Sequence, residues 1–141
     1  MTVKAIIAKK GNDVVTVAED LPLLEAARVL AAKGIGAVII VAPDGAVAGI
    51  ASERDFVRAF AEQGELNGPV REIMTRKVET CSLSDTIVAV MERMTCGKFR
   101  HLPVLEQSRL AGIISIGDVV KFRLQEMEHE QEALREYILT A

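Results

Sequence analysis

The chain has 141 residues, half of them apolar and 26% charged, with a formal net charge of −3; such a composition suits one ordinary domain or two very small ones and lies far from the disordered class. The slight negative charge gives no broad footprint for nucleic acid, and aromatics at 4% without a Trp leave no stacking platform for single strands. Cys81 and Cys96 form no CxxC, and neither His101 nor His129 completes a metal spacing with them, so free thiols in a reducing cytoplasm and no metal are expected.

The start, MTVKAIIAKKGNDVV, has neither the apolar run nor the small-residue cleavage site of a signal peptide. A lead, VKAIIAKK (3–10), runs to a short β segment around residues 14–17. Leu23, Ala26, Ala27 and Leu30 then fall at helical spacing, predicting an amphipathic helix that ends near Gly34. The most apolar stretch, Ile35 to Val41, is cut by Pro43 and Asp44, far short of the roughly 20 residues a membrane span needs. It reads as a buried strand (37–41), followed by the turn Ala42-Pro43-Asp44-Gly45, a second strand over 46–51 and a second helix.

The same order then returns. VREIMTRK (70–77) repeats the lead, Thr80 falls on Thr16, and Ile87, Val90, Met91 and Met94 fall on the apolar positions of the first helix. The strand Leu102-Pro103-Val104-Leu105 matches 37–41. A shorter turn, Glu106-Gln107-Ser108, leads to LAGIISIGDVVKFR (110–123), which matches VAGIASERDFVRAF (47–60) and pairs Gly49 with Gly112, Ser52 with Ser115 and Asp55 with Asp118. A frame that shifts only at turns marks a duplication. The predicted fold is α/β (α+β): two β-α-β-β-α repeats, 3–66 and 67–125, packed about a pseudo-twofold axis, with a helical extension over 126–141. A unit of about 60 residues buries too little surface to be comfortable alone.

In their duplicated frame, their FRHLPV and GIGAVI strands and their paired Gly-Ile-x-Ser-x-x-Asp motifs, residues 3–125 resemble tandem CBS (cystathionine β-synthase) domains, the Bateman module. The resemblance implies a non-catalytic regulatory module that senses an adenosine nucleotide.

The motif itself supports two readings. Ser-x-x-Asp at a strand-to-helix junction is a capping box, which any helix can use. The same geometry suits a nucleotide, because a helix N-terminus and a Ser hydroxyl receive phosphate while a carboxylate accepts from the two hydroxyls of a ribose. The family resemblance implies Ser52 and Asp55 for one cleft and Ser115 and Asp118 for the other. It adds Thr16 and Thr80 at the first strands, and Ile35, Gly36 and Ala37 opposite Phe99, Arg100, His101, Leu102 and Pro103. Clefts in such pairs draw on both copies: Asp118 with Thr16 and the Gly36 strand, Asp55 with Thr80 and the Leu102 strand.

Cations are unevenly placed, since Arg100 and His101 stand where the first copy has Gly36 and Ala37, and Arg54 stands where the second has Gly117. They serve a phosphate or are solvated surface charge. Ile35, Ile50, Pro103 and Ile113 offer an apolar slot for a purine or belong to the core. The small aliphatic lining does not separate AMP from ADP, ATP, NAD(H) or S-adenosylmethionine; the resemblance puts AMP first and makes energy sensing the expected role.

After Asp118 the helix continues without Pro or Gly. Val120, Leu124, Met127, Gln131, Leu134 and Ile138 form a coiled-coil-like seam with one polar member, which predicts a homodimer or, given its many Glu and Gln neighbours, a solvated tail. No G-x-S-x-G, P-loop or paired base and nucleophile is present, so no enzyme and no catalytic cofactor are expected. Output would pass to an effector protein, with neither nucleic acid nor membrane as partner; the alternative is a structural homodimerisation module with empty clefts.

Overall fold

The computed structural model describes residues 1–141. Its apolar runs resolve into two three-stranded sheets, each with its own helices and its own core. Residues 14–79 form one compact unit, and residues 1–13 together with 80–141 form the other.

In the unit of residues 14–79, β1 (Thr16–Ala18) runs parallel to β2 (Ala37–Val41), which pairs antiparallel with β3 (Val47–Ser52). The central strand is buried from Ala37 to Ile40, which explains its unbroken apolar run. Helix α1 spans Val3–Lys10, and α2 (Leu23–Lys33) supplies the parallel crossover between β1 and β2. Helix α2 buries Leu23, Ala26 and Leu30 at the predicted spacing, and α3 (Glu53–Gln63) buries Phe56 and Ala59.

The other unit repeats this plan with β4 (Cys81–Ser82), α4 (Ile87–Gly97), β5 (His101–Glu106), β6 (Arg109–Ser115) and α5 (Ile116–Thr140). Strands β4 and β5 are parallel, and β5 and β6 are antiparallel. Ile87, Val90 and Met94 of α4 lie in the core with Leu102, Val104, Ile114, Val119 and Phe122. Cys81 is buried there and Cys96 is exposed, both as free thiols. Burial, with Asp85 adding to it against an opposing Arg93, pushes the Cys81 thiol up to about 11.

The compact units are offset from the sequence copies, because each lead folds with the strands of the other copy. Val3 and Ile6 of α1 are fully buried among Ile87, Leu102 and Ile114, and the Val3 and Lys4 N–H groups donate to Asp85 and Leu83 carbonyls at 2.9 and 3.0 Å. Val70 and Met74 of the second lead lie in the core of residues 14–79. The second lead makes only a 3-10 turn at Val70–Glu72. Thr75 instead exchanges backbone hydrogen bonds with Ile50 at 2.8 and 3.1 Å, which holds that stretch beside β3 and away from helical geometry.

The glycines of the repeated motif make this exchange possible. A Cβ on Gly49 would lie 2.6 Å from the Met74 sulfur and 2.9 Å from the Thr75 carbonyl oxygen; one on Gly112 would lie 2.6 Å from Ile7 Cδ1. Met74 and Ile7 occupy the same place in the two leads. The paired glycines are therefore the surfaces on which the leads seat.

Candidate functional site

Each Ser-x-x-Asp set stands where the last strand of a unit turns into its last helix. Ser52 ends β3 and caps α3; Ser115 ends β6 and caps α5, and both form reciprocal capping boxes with the Asp three residues on. Asp55 Oδ2 accepts from the Ser52 N–H at 2.9 Å and from its hydroxyl at 3.2 Å. Asp118 Oδ2 accepts from the Ser115 N–H at 2.9 Å, while the Ser115 hydroxyl accepts from the Asp118 N–H at 3.1 Å.

The neighbouring strand completes each set. Ala37 lies opposite Ser52 and His101 opposite Ser115. The Glu53 N–H donates to the Gly36 carbonyl at 2.9 Å, and the Ile116 N–H donates to the Arg100 carbonyl at 2.8 Å. Thr16 begins β1, two strands from Ser52, and Thr80 directly precedes β4. Within one unit the fold thus gathers Gly36, Ala37, Ser52 and Asp55, and within the other Arg100, His101, Ser115 and Asp118.

Burial sorts the remaining candidates. Ala37, Leu102 and Pro103 are buried strand residues, whereas Ile35 and Ile113 are half-buried and keep an accessible apolar edge. Arg54 and Arg100 are exposed, as is Thr16; Ser52, Asp55, Thr80, His101, Ser115 and Asp118 are half-buried. Partly accessible hydroxyls and carboxylates at helix starts are arranged to meet a polar ligand without having to unfold the core.

One residue escaped the sequence reading. Lys10, the last residue of α1, places its ammonium 2.7 Å from Asp118 Oδ2 and 3.0 Å from the Ile113 carbonyl oxygen. Burial works against the charge on Asp118, but the bonds from Lys10 and Ser115 outweigh it and hold the carboxyl below its usual range. Asp55 has Ser52 alone and no ion pair. The available signal was the repeated lead, which ends in Lys10 and Lys77; recognising its meaning required knowing that the first lead folds beside the second motif.

No cluster of His, Cys, Asp and Glu is placed to hold a metal ion, and no helix is long and apolar enough to cross a membrane.

The family model "CBS domain" matches residues 3–62 and 70–125. The chain is similar to CBS domain-containing protein CBSX3, mitochondrial, of Arabidopsis thaliana, at 32% identity over 84% of this chain and 61% of the relative. It spans less than two thirds of that relative, and 22% of the plant protein CBSCBSPB5. Among solved structures, the CBS-domain protein ATU1752 of Agrobacterium tumefaciens is 51% identical, with a TM-score of 0.85 over 87% of this chain and 99% of that one. Two ligand complexes share the fold at 26% identity. The CBS domain protein PAE2072 of Pyrobaculum aerophilum, complexed with AMP, has a TM-score of 0.76 over 84% of this chain and 89% of its own. The CBS domain pair of protein MJ0100, in complex with 5-methylthioadenosine and S-adenosyl-L-methionine, has a TM-score of 0.78 over 89% and 98%.

Proposed function

The chain belongs to the CBS-domain family and carries a pair of such domains, and from that premise we propose that it is a non-catalytic regulatory module that binds an adenosine-derived ligand at its Ser-x-x-Asp sets. The observation that carries the reading is the accessible carboxylate at each strand-to-helix junction, in a chain whose structural relatives bind AMP in one case and S-adenosylmethionine with methylthioadenosine in another. Asp55 and Asp118 accept from the ribose hydroxyls. The Ser52 and Ser115 hydroxyls and the helix starts face the polar remainder, with Arg54 and Arg100 as the nearby cations and the His101 imidazole as a further polar group. AMP is the first candidate, followed by ATP, NAD(H) and S-adenosylmethionine.

Regulation follows if the ligand binds two conformations of the module unequally. The module acts as a homodimer and passes the change to an effector protein. A purely structural role is the second reading, favoured by the fact that both capping boxes are complete without a ligand.

The test is thermal stability of the parent, Asp55→Asn and Asp118→Asn against AMP, ATP, NADH, S-adenosylmethionine and methylthioadenosine. Asn keeps an acceptor for the cap and removes the charge. A ligand at 100 times its Kd stabilises by about 2.7 kcal/mol. A shift with one adenosine compound that shrinks in an Asn variant is expected; no shift with any of the five would sink the reading in favour of the structural one.

A further inference from the structure

Helix α5 runs for 25 residues, and its last buried side chain is Phe122. The family match ends at residue 125, yet the helix continues to Thr140, about 37 Å from its start at 1.5 Å per residue. Along that length Leu124 is 55% exposed, Met127 48%, Leu134 59% and Ile138 65%. Apolar side chains in one row on a projecting helix are costly in water and give the helix no intramolecular packing partner. An open groove of about 620 Å³, lined by Ile116, Val120, Leu124 and Glu128 among others, continues the row towards the body.

Spacing and charge identify what covers the row. Val120, Met127 and Leu134 take the d positions of a heptad, and Leu124, Gln131 and Ile138 take the a positions. The flanking g and e positions then hold Arg123 and Glu130, and Glu128 and Arg135. In a parallel, in-register pair, each g position faces the e position of the next heptad on the other helix. Glu130 then meets Arg135 of the second copy, and Arg123, which also bonds Glu126 of its own helix at 2.6 Å, faces Glu128 of that copy, each twice by symmetry. In a fully overlapping antiparallel pair, e faces e and g faces g, so Lys121 meets Arg135 and Glu128 and Glu130 each meet their own copies. Every such charged contact is repulsive. Gln131 adds a second argument, because only the parallel register stacks it on itself as a polar layer that penalises slippage.

We propose that α5 pairs with α5 of a second copy of this chain as a parallel, in-register two-stranded coiled coil, selected by the Arg123–Glu128 and Glu130–Arg135 contacts. The proposal rests on the homodimer in the functional reading and specifies its surface and orientation. It is independent of what the Ser-x-x-Asp sites bind.

The test combines sedimentation with disulfide trapping of the full chain. Leu134→Glu alters a residue outside the core and should raise the dimer Kd by on the order of 100-fold, with circular dichroism reporting an intact fold. Glu130→Arg should weaken the dimer roughly fivefold to tenfold, and adding Arg135→Glu should restore it. In a Cys96→Ser background, which removes the exposed thiol, Ile138→Cys should form an intermolecular disulfide in a glutathione buffer. Parallel pairing brings the two sulfurs together, whereas antiparallel pairing holds those positions about 27 Å apart along the axis. A parent dimer that Leu134→Glu leaves intact, or one in which Ile138→Cys does not cross-link, would overturn the α5 pairing while leaving the homodimer standing. A monomeric parent would overturn both.

Discussion

Asp55 and Asp118 occupy the same place in two copies of one motif, with the same Ser N–H at 2.9 Å, but they have different partners. Asp118 is already paired to Lys10 at 2.7 Å, and Asp55 has no cation against it. The difference originates in the leads rather than the motifs. The first lead is helical to Lys10 and delivers an ammonium to the second motif, whereas the second lead leaves helical geometry after Glu72 and presents backbone from Thr75 to the first. A duplicated motif therefore tells which atoms a site begins with, and the segment folded beside it decides how many remain available.

The largest test of that comparison removes the glycines on which the leads seat. Gly49→Ala forces a methyl against the Met74 side chain and, at 2.9 Å, against the Thr75 backbone carbonyl, which cannot swing aside. The expected cost is about 2 to 3 kcal/mol in urea denaturation. Gly112→Ala meets only the tip of Ile7 and, at 3.9 Å, Asn12 Cα, so its cost should be about 1 kcal/mol. Equal losses would mean that both leads yield alike and would remove the distinction between them.

Ligand affinity should be the next largest contrast. A ribose diol can take Asp55 directly but must compete with Lys10 for Asp118. Loss of a charged acceptor is worth about 1.5 to 3 kcal/mol, so Asp55→Asn should weaken AMP binding tenfold or more in isothermal titration. Asp118→Asn should weaken it less. The reverse order would show that Lys10 assists the ligand instead of occupying its acceptor.

A smaller contrast appears in acid. The Asp118 carboxyl is lowered on folding, so its contribution to stability is fully present above the unfolded value of about 3.9 and is lost as the pH falls through the lower folded value. Both partners of the pair are partly exposed, and Lys10→Met should cost less than about 1 kcal/mol near neutral pH. Its diagnostic effect is on shape: with the carboxyl no longer held low, the variant should lose less stability than the parent as the pH falls below about 3.9, so that the two profiles converge in acid. Superimposable pH profiles for parent and variant would mean that Lys10 does not hold Asp118 ionised.

Much of this architecture was readable because it is local. Leu23, Ala26 and Leu30 recur at helical spacing whatever they pack on, and Ser52 with Asp55 forms a cap from residues three apart. The antiparallel pairings follow, since each hairpin joins neighbours in the chain. The exchange of leads was not readable. VKAIIAKK and VREIMTRK have the same frame whether each folds with its own copy or the other, and the choice shows only in tertiary contacts such as the seating of Ile7 on Gly112 and Met74 on Gly49. Lys10 was hidden for the same reason, being distant from Asp118 in sequence and adjacent only after that choice is made.

The smallest expected effect concerns the turns, where the two copies differ by one residue. The first turns through Gly45 at φ 87°, supported by the Ala46 N–H donating to Asp44 Oδ1 at 3.0 Å. The second places Gln107 and Ser108 at φ 50° and 65° between β5 and β6. Two successive left-handed residues make a tight hairpin whose twist suits the strands, a geometry in which Asn-Gly is preferred and a Cβ is a burden. Ser108→Gly should therefore stabilise the chain by about 0.5 to 1 kcal/mol, the relief of a left-handed residue being partly offset by the greater freedom of Gly in the unfolded chain. Gly45→Ser should destabilise it by a similar amount. If Ser108→Gly instead lowers the urea midpoint, the shorter turn of the second copy is held by contacts of the Ser side chain, and the two hairpins differ in more than length.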